Sequence, residues 1–137
     1  MQRRTFLATA AAASLTPLVS HAMKSTPYTP GLVDRELAAG KTVFVDFTTE
    51  WCTTCAAQKR AITALKSENP AYEKAITFVT VDFGKFRDDA LTRRLGVNQR
   101  STLVVLKGDQ VLGRNNSDPR KASIKALLDT ALGAASA

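Results

Sequence analysis

The sequence predicts an α/β domain with a central mixed sheet: a βαβ half, then a C-terminal β-hairpin and a closing helix, with helices on both faces. Three observations predict it. Two β-branched, apolar runs, "TVFVDF" (42–47) and "AITFVTVDF" (75–83), read as buried strands. Between them "CAAQKRAITALKS" (55–67) reads as a helix, so the two strands run parallel across a crossover. Finally, "STLVVLKGDQVLGR" (101–114) reads as two strands around a tight turn at Gly108-Asp109, which makes that pair antiparallel.

Taken in order, the chain opens on an export signal over residues 1–22. Arg3 and Arg4 are its basic region, Phe6 to Val19 its short apolar stretch, and Ser20-His21-Ala22 a cleavage site with small residues at both ends. "RRTFLA" fits a twin-arginine signal, although Gln2 and Ala8 depart from that pattern and leave general secretion open. Either route delivers the chain to a bacterial periplasm. Residues 23–30, Thr/Pro-rich, read as a loose arm, and 31–133 as the domain. "GLVDRELAAGK" is a short helix with Gly40 as its stop. After the first strand and the cysteine-bearing helix, Asn69-Pro70 starts another helix, with proline in its first position. "RDDALTRRLG" is a short helix ending at Gly96. The last helix takes Asp118 as its cap and Pro119 in its first turn, and buries Ile124, Leu127, Leu128 and Leu132 at helical spacing. Residues 134–137 form a tail.

The 137-residue chain carries a net charge of +7, with two of the positive charges in the signal. The remainder are scattered among acids and form no basic stripe, and no nucleic-acid motif accompanies them. A monomer without nucleic-acid partners is expected. Hydrophobic content of 45% suits a globular domain.

The chemistry sits in "VDFTTEWCTTCAAQKRA" (45–61), which holds the only two cysteines, Cys52 and Cys55, behind the only tryptophan, Trp51. Such a pair can carry electrons, form an inert staple or bind metal. A staple this short closes a tiny loop and gains little stability. Zinc wants about four ligands, and the chain without its signal offers two sulfurs and no histidine. Placed at a helix start, the Cys52 sulfur meets free backbone N–H groups and the positive end of the helix dipole, which favour thiolate. Cys55, one turn on, can reach back to it. No cofactor beyond this redox-active pair is expected. The alternative is a metal- or iron–sulfur-binding module that uses the same sulfurs between two chains. A third reading is a docking protein in which the sulfurs are dispensable.

"VFVDFTTEWCTTC" resembles the active-site strand and turn of the thioredoxin superfamily. From Tyr28 to Cys55 the chain is most similar to the soluble C-terminal domain of DsbD-type thiol:disulfide interchange proteins. The resemblance implies a thioredoxin-like fold and a periplasmic thiol–disulfide oxidoreductase acting on protein thiols or disulfides. A reductase or relay role follows, fed by a membrane electron donor. It also implies that Cys52 attacks, Cys55 resolves, and Asp46 is a buried carboxylate that manages the Cys55 proton. Trp51, Arg100, Ser101 and Thr102 are then candidate substrate contacts. The family's lysine beside that carboxylate falls here on Thr80. Its cis-proline opposite the cysteines falls on Ser101, so a trans Arg100–Ser101 bond is expected, since a cis bond before a non-proline residue costs ~2.5–4 kcal/mol.

Overall fold

The structure is a computed structural model and describes residues 24–137. The export signal and Met23 lie outside the described residues.

The described chain runs β1 (Thr26–Pro27), α1 (Leu32–Ala38), β2 (Thr42–Thr48), α2 (Thr53–Glu68), α3 (Ala71–Ala75), β3 (Thr77–Asp82), α4 (Phe83–Phe86), α5 (Ala90–Arg94), β4 (Thr102–Lys107), β5 (Gln110–Asn116) and α6 (Lys121–Ala135). The five strands make one mixed sheet in the order β1-β3-β2-β4-β5. β1, β3 and β2 are mutually parallel, while β4 runs antiparallel to both β2 and β5. The α/β architecture with helices on both faces is therefore the one expected from the strand and helix pattern.

Alternation along β2 divides the core. Val43, Val45 and Phe47 point to one face, against Val33 of α1 and Leu91 of α5. Phe44 points to the other, with Leu65 of α2, Tyr72 of α3 and Leu128 of α6. Successive side chains of a strand take opposite faces, so Asp46 shares the Phe44 face and lies on the α2 side. Central placement of β2 matters for the site: its backbone is paired on both edges, and its C-terminal end delivers the chain directly to the cysteines.

Three segments depart from the sequence reading. The supposed loose arm contains β1, with Thr26 opposite Val79 and Pro27 opposite Thr80. Tyr28 follows it into the core, donating its backbone N–H to Thr80 O at 2.8 Å and its phenol to Asp89 at 2.8 Å. The gain is a partner for the outer edge of β3, and proline is tolerated on an edge strand. The last helix begins later than Asp118 and runs later than residue 133. Arg120 is its N-cap, and Asp118 instead accepts from the Arg120 backbone at 3.0 Å and from its guanidinium. The first two residues of the expected tail, 134 and 135, are helix, and the Lys107 ammonium binds the Ala134 carbonyl there. Last, α4 was not expected; Asp82 creates it by accepting from the Lys85 N–H at 3.2 Å.

Leu103 lies fully buried on β4, beside Asp46 and two residues from Ser101. Leu103→Ala is expected to cost ~2–5 kcal/mol of unfolding free energy, read as a lower urea midpoint at unchanged slope.

Candidate active site

The end of β2 turns sharply into α2. Trp51 takes the turn with φ of 60°, a left-handed conformation, and its side chain is 97% exposed. Cys52 is extended and is the N-cap of α2. Helix starts leave N–H groups without partners, and serine, threonine or aspartate usually supplies the acceptor. Here the acceptor is sulfur: the Cys55 N–H donates to Cys52 Sγ at 3.2 Å. Cys52 and Cys55 are joined in a disulfide, with their Cα atoms 5.2 Å apart. Cys55 is 4% exposed and Cys52 8%. Both border an open groove of about 420 Å³ whose rim includes Thr53, Trp51 and Lys59.

Opposite the sulfurs stands Ser101. Among the described residues no peptide bond is cis, so Arg100–Ser101 is trans, as expected. Ser101 has φ of 63°, another left-handed residue that is not glycine. Its hydroxyl lies 3.2 Å from Cys52 Sγ and 3.0 Å from Cys55 Sγ. The backbone around it is fully engaged. Its N–H donates to Phe47 O at 2.8 Å, and its carbonyl accepts from the Ser117 N–H at 2.8 Å and the Gln58 amide at 3.1 Å.

Asp46 lies opposite Thr80 on β3 and Leu103 on β4, so the neighbouring-strand residue beside this carboxylate is a threonine. One carboxylate oxygen, Oδ1, is buried without a hydrogen-bond partner. Asp46 borders a cavity of about 140 Å³ between the sheet and α2. Thr48 and Lys59 wall both this cavity and the cysteine groove, so the two spaces adjoin. Burial pushes the Asp46 pKa up from 3.8 to about 6, and the Lys59 ammonium, arriving from α2 rather than the sheet, pulls it partly back.

Not all expected contacts meet. Arg100 is exposed on the loop before β4, next in sequence to Ser101. Thr102 is buried, and its hydroxyl donates to Gln99 O at 2.9 Å; it pins the loop and does not face the groove. Among the described residues no group of three or more His, Cys, Asp or Glu side chains is placed to hold a metal. A metal on these sulfurs would need ligands from a second molecule.

A family model described as thioredoxin matches residues 27–130. The chain belongs to the thioredoxin family. The thioredoxin-like protein Trxlp from Edwardsiella tarda is 26% identical, with a TM-score of 0.67 over 77% of this chain and 98% of its own. Oxidised thioredoxin from Plasmodium falciparum is 19% identical, with a TM-score of 0.63 over 77% of this chain and 96% of its own. Chlamydomonas reinhardtii thioredoxin f2 is 18% identical, with a TM-score of 0.61 over 77% and 94%. No curated protein matches the chain. Family membership, together with a CxxC pair at bonding distance, makes this a thiol–disulfide oxidoreductase site.

Gln58 and Lys59 were missed by the sequence reading. A signal for Gln58 was available: it is a polar residue on the core-facing stripe Cys55, Ile62, Leu65, and a fully buried amide needs partners. Lys59 gave none, because a helical lysine ordinarily reads as solvated.

Asp46 makes stability depend on pH. Its folded pKa is raised, so its contribution is complete below about pH 4 and is lost as the pH climbs through about 6. The full swing is ~3 kcal/mol. Asp46→Asn should therefore unfold at higher urea than the parent at pH 7.5. At pH 4 the two should differ little. An equal difference at both pH values would deny the carboxylate its buried, proton-holding state.

Proposed function

We propose that the chain is an exported protein-disulfide reductase or electron relay of the periplasm, similar in role to the soluble C-terminal domain of DsbD-type proteins. The single observation that carries the exchange chemistry is the placement of Cys52 Sγ. It caps α2 on the border of an open groove, with Cys55 bonded to it from one turn along.

In the reduced protein Cys52 is the thiolate, held by the Cys55 N–H and the helix dipole. It attacks one sulfur of a substrate disulfide. A Cys52–substrate bond forms, the substrate S–S bond breaks, and one substrate thiolate leaves and takes up a proton from water. Asp46, as carboxylate, then accepts the Cys55 proton through the adjoining cavity. The Cys55 thiolate attacks Cys52 Sγ, closes the Cys52–Cys55 disulfide and expels the second substrate thiolate. Two electrons pass from the two cysteines to the substrate disulfide. A membrane-bound dithiol donor returns them by the same exchange in reverse.

The reductase direction is supported by the resemblance in "VFVDFTTEWCTTC" and by the uncharged Thr53-Thr54 pair between the cysteines. Export rests on the arginine–apolar–small residue order of the first 22 residues. Trp51 and Arg100 are the exposed groups that a docked protein would meet.

Equilibration of the mature protein in glutathione buffers tests the direction. A potential of about −270 mV is expected of a reductant, and one of about −120 mV would make the protein an oxidant. Cys55→Ser should accumulate a mixed disulfide with substrate protein, seen as a reducible band on gels. Cys52→Ser should reduce insulin no faster than background. Full activity in Cys52→Ser would eliminate exchange as the function.

A further inference from the structure

Ser101 is held more firmly than a loop residue requires. Left-handed backbone costs ~1–2 kcal/mol for a residue with a Cβ. Its N–H and both lone pairs of its carbonyl are nevertheless tied to three different elements: Phe47 on β2, Gln58 on α2 and Ser117 after β5. Gln58 is itself fully buried, and its amide also approaches Asn115 Oδ1 and Asp118 O, both at 3.4 Å. The outcome of this scaffold is a side chain that is 2% exposed and whose hydroxyl meets the two sulfurs and no other polar group among the described residues.

We propose that the Ser101 hydroxyl is a third catalytic group, donating its hydrogen bond to whichever of the two sulfurs carries negative charge. The idea rests on the exchange reaction above and adds a residue to it. A neutral disulfide sulfur is a weak acceptor, so the hydroxyl gains little in the oxidised protein. A thiolate accepts a charge-assisted bond that is roughly twice as strong. The difference favours the reduced, charged form. During attack the charge is on Cys52. After the mixed disulfide forms and Asp46 has taken the Cys55 proton, it is on Cys55. In the disulfide form the two acceptors lie 3.2 and 3.0 Å from the hydroxyl oxygen, so rotation about the serine Cβ–Oγ bond redirects the hydrogen from one to the other. The serine keeps its proton throughout, and its oxidation state does not change. A proline here would bring neither hydroxyl nor N–H.

The charged groups around the sulfurs are Lys59 on the groove wall, Asp46 in the adjoining cavity and Arg100 one residue before the serine. A test must leave these in place and separate the hydroxyl from the backbone. Ser101→Ala removes the hydroxyl and keeps the left-handed strain. Ser101→Gly removes the hydroxyl and relieves it. In the reduced mature protein, the pH midpoint of Cys52 alkylation by iodoacetamide is expected to rise by about one unit in both variants. The protein–glutathione equilibrium constant is expected to move about tenfold toward the protein disulfide, a change of ~30 mV to more negative potential. Ser101→Thr, which keeps the hydroxyl, is expected to return the midpoint toward the parent's. Unchanged midpoints in Ala and Gly variants would overturn the proposal, as would shifts of opposite sign. A parent protein that fails to exchange with glutathione would defeat the oxidoreductase reading instead, since alkylation needs no exchange partner.

Discussion

A sulfur atom occupies the place where a helix needs an acceptor, and the remainder of the site is arranged around that substitution. Cys52 Sγ takes the Cys55 N–H, so the helix start is completed only through the reactive atom. Every step that changes charge on this sulfur also changes how well α2 is capped. A thiolate accepts that hydrogen bond better than a thiol or a disulfide sulfur does, so the cap is strongest on a charged sulfur. The sheet supplies the rigidity behind this. β2 is paired on both edges and ends at the turn, and the Ser101 N–H bonds back to Phe47 O, the last fully buried position of β2.

Asp46 illustrates how a strand's alternation becomes chemistry. Moving it by one residue would send the carboxylate to the α1 face, away from the cysteines. On its actual face it adjoins a small cavity, accepts no hydrogen bond at Oδ1, and holds its proton to higher pH than an exposed acid. The lysine that moderates it comes from α2, four residues after Cys55. The helix that begins at the cysteines thus also carries the charge that offsets the burial of Asp46. This arrangement differs from a lysine on the neighbouring strand, where Thr80 stands instead.

Much of this was legible before any coordinates. The strands were marked by β-branched runs, the hairpin by Gly108-Asp109, the cysteines by their two-residue spacing at a strand-to-helix junction, and Asp46 by the resemblance of "VFVDFTTEWCTTC" to the thioredoxin superfamily. What was not legible depends on long-range pairing. β1 is two residues of Thr-Pro whose only claim to be a strand is the open edge of β3. Gln58 lies more than fifty residues before Asn115 and Ser117, yet its amide reaches Asn115 and shares the Ser101 carbonyl with the Ser117 N–H, a meeting that only the tertiary fold creates. Ser101 was noticed as a missing ring. Its left-handed backbone and its reach to both sulfurs follow from those distant partners and have no local signature.

Trp51 brings a practical property. It is the chain's single indole, and it stands in water immediately before the reactive cysteine. The two tyrosines, by contrast, lie inside, with their phenols bonded to Asp89 and Asp129. Emission excited at the red edge of protein absorption therefore originates from one spot. A fluorimeter pointed at unlabelled protein watches the redox centre and almost nothing else.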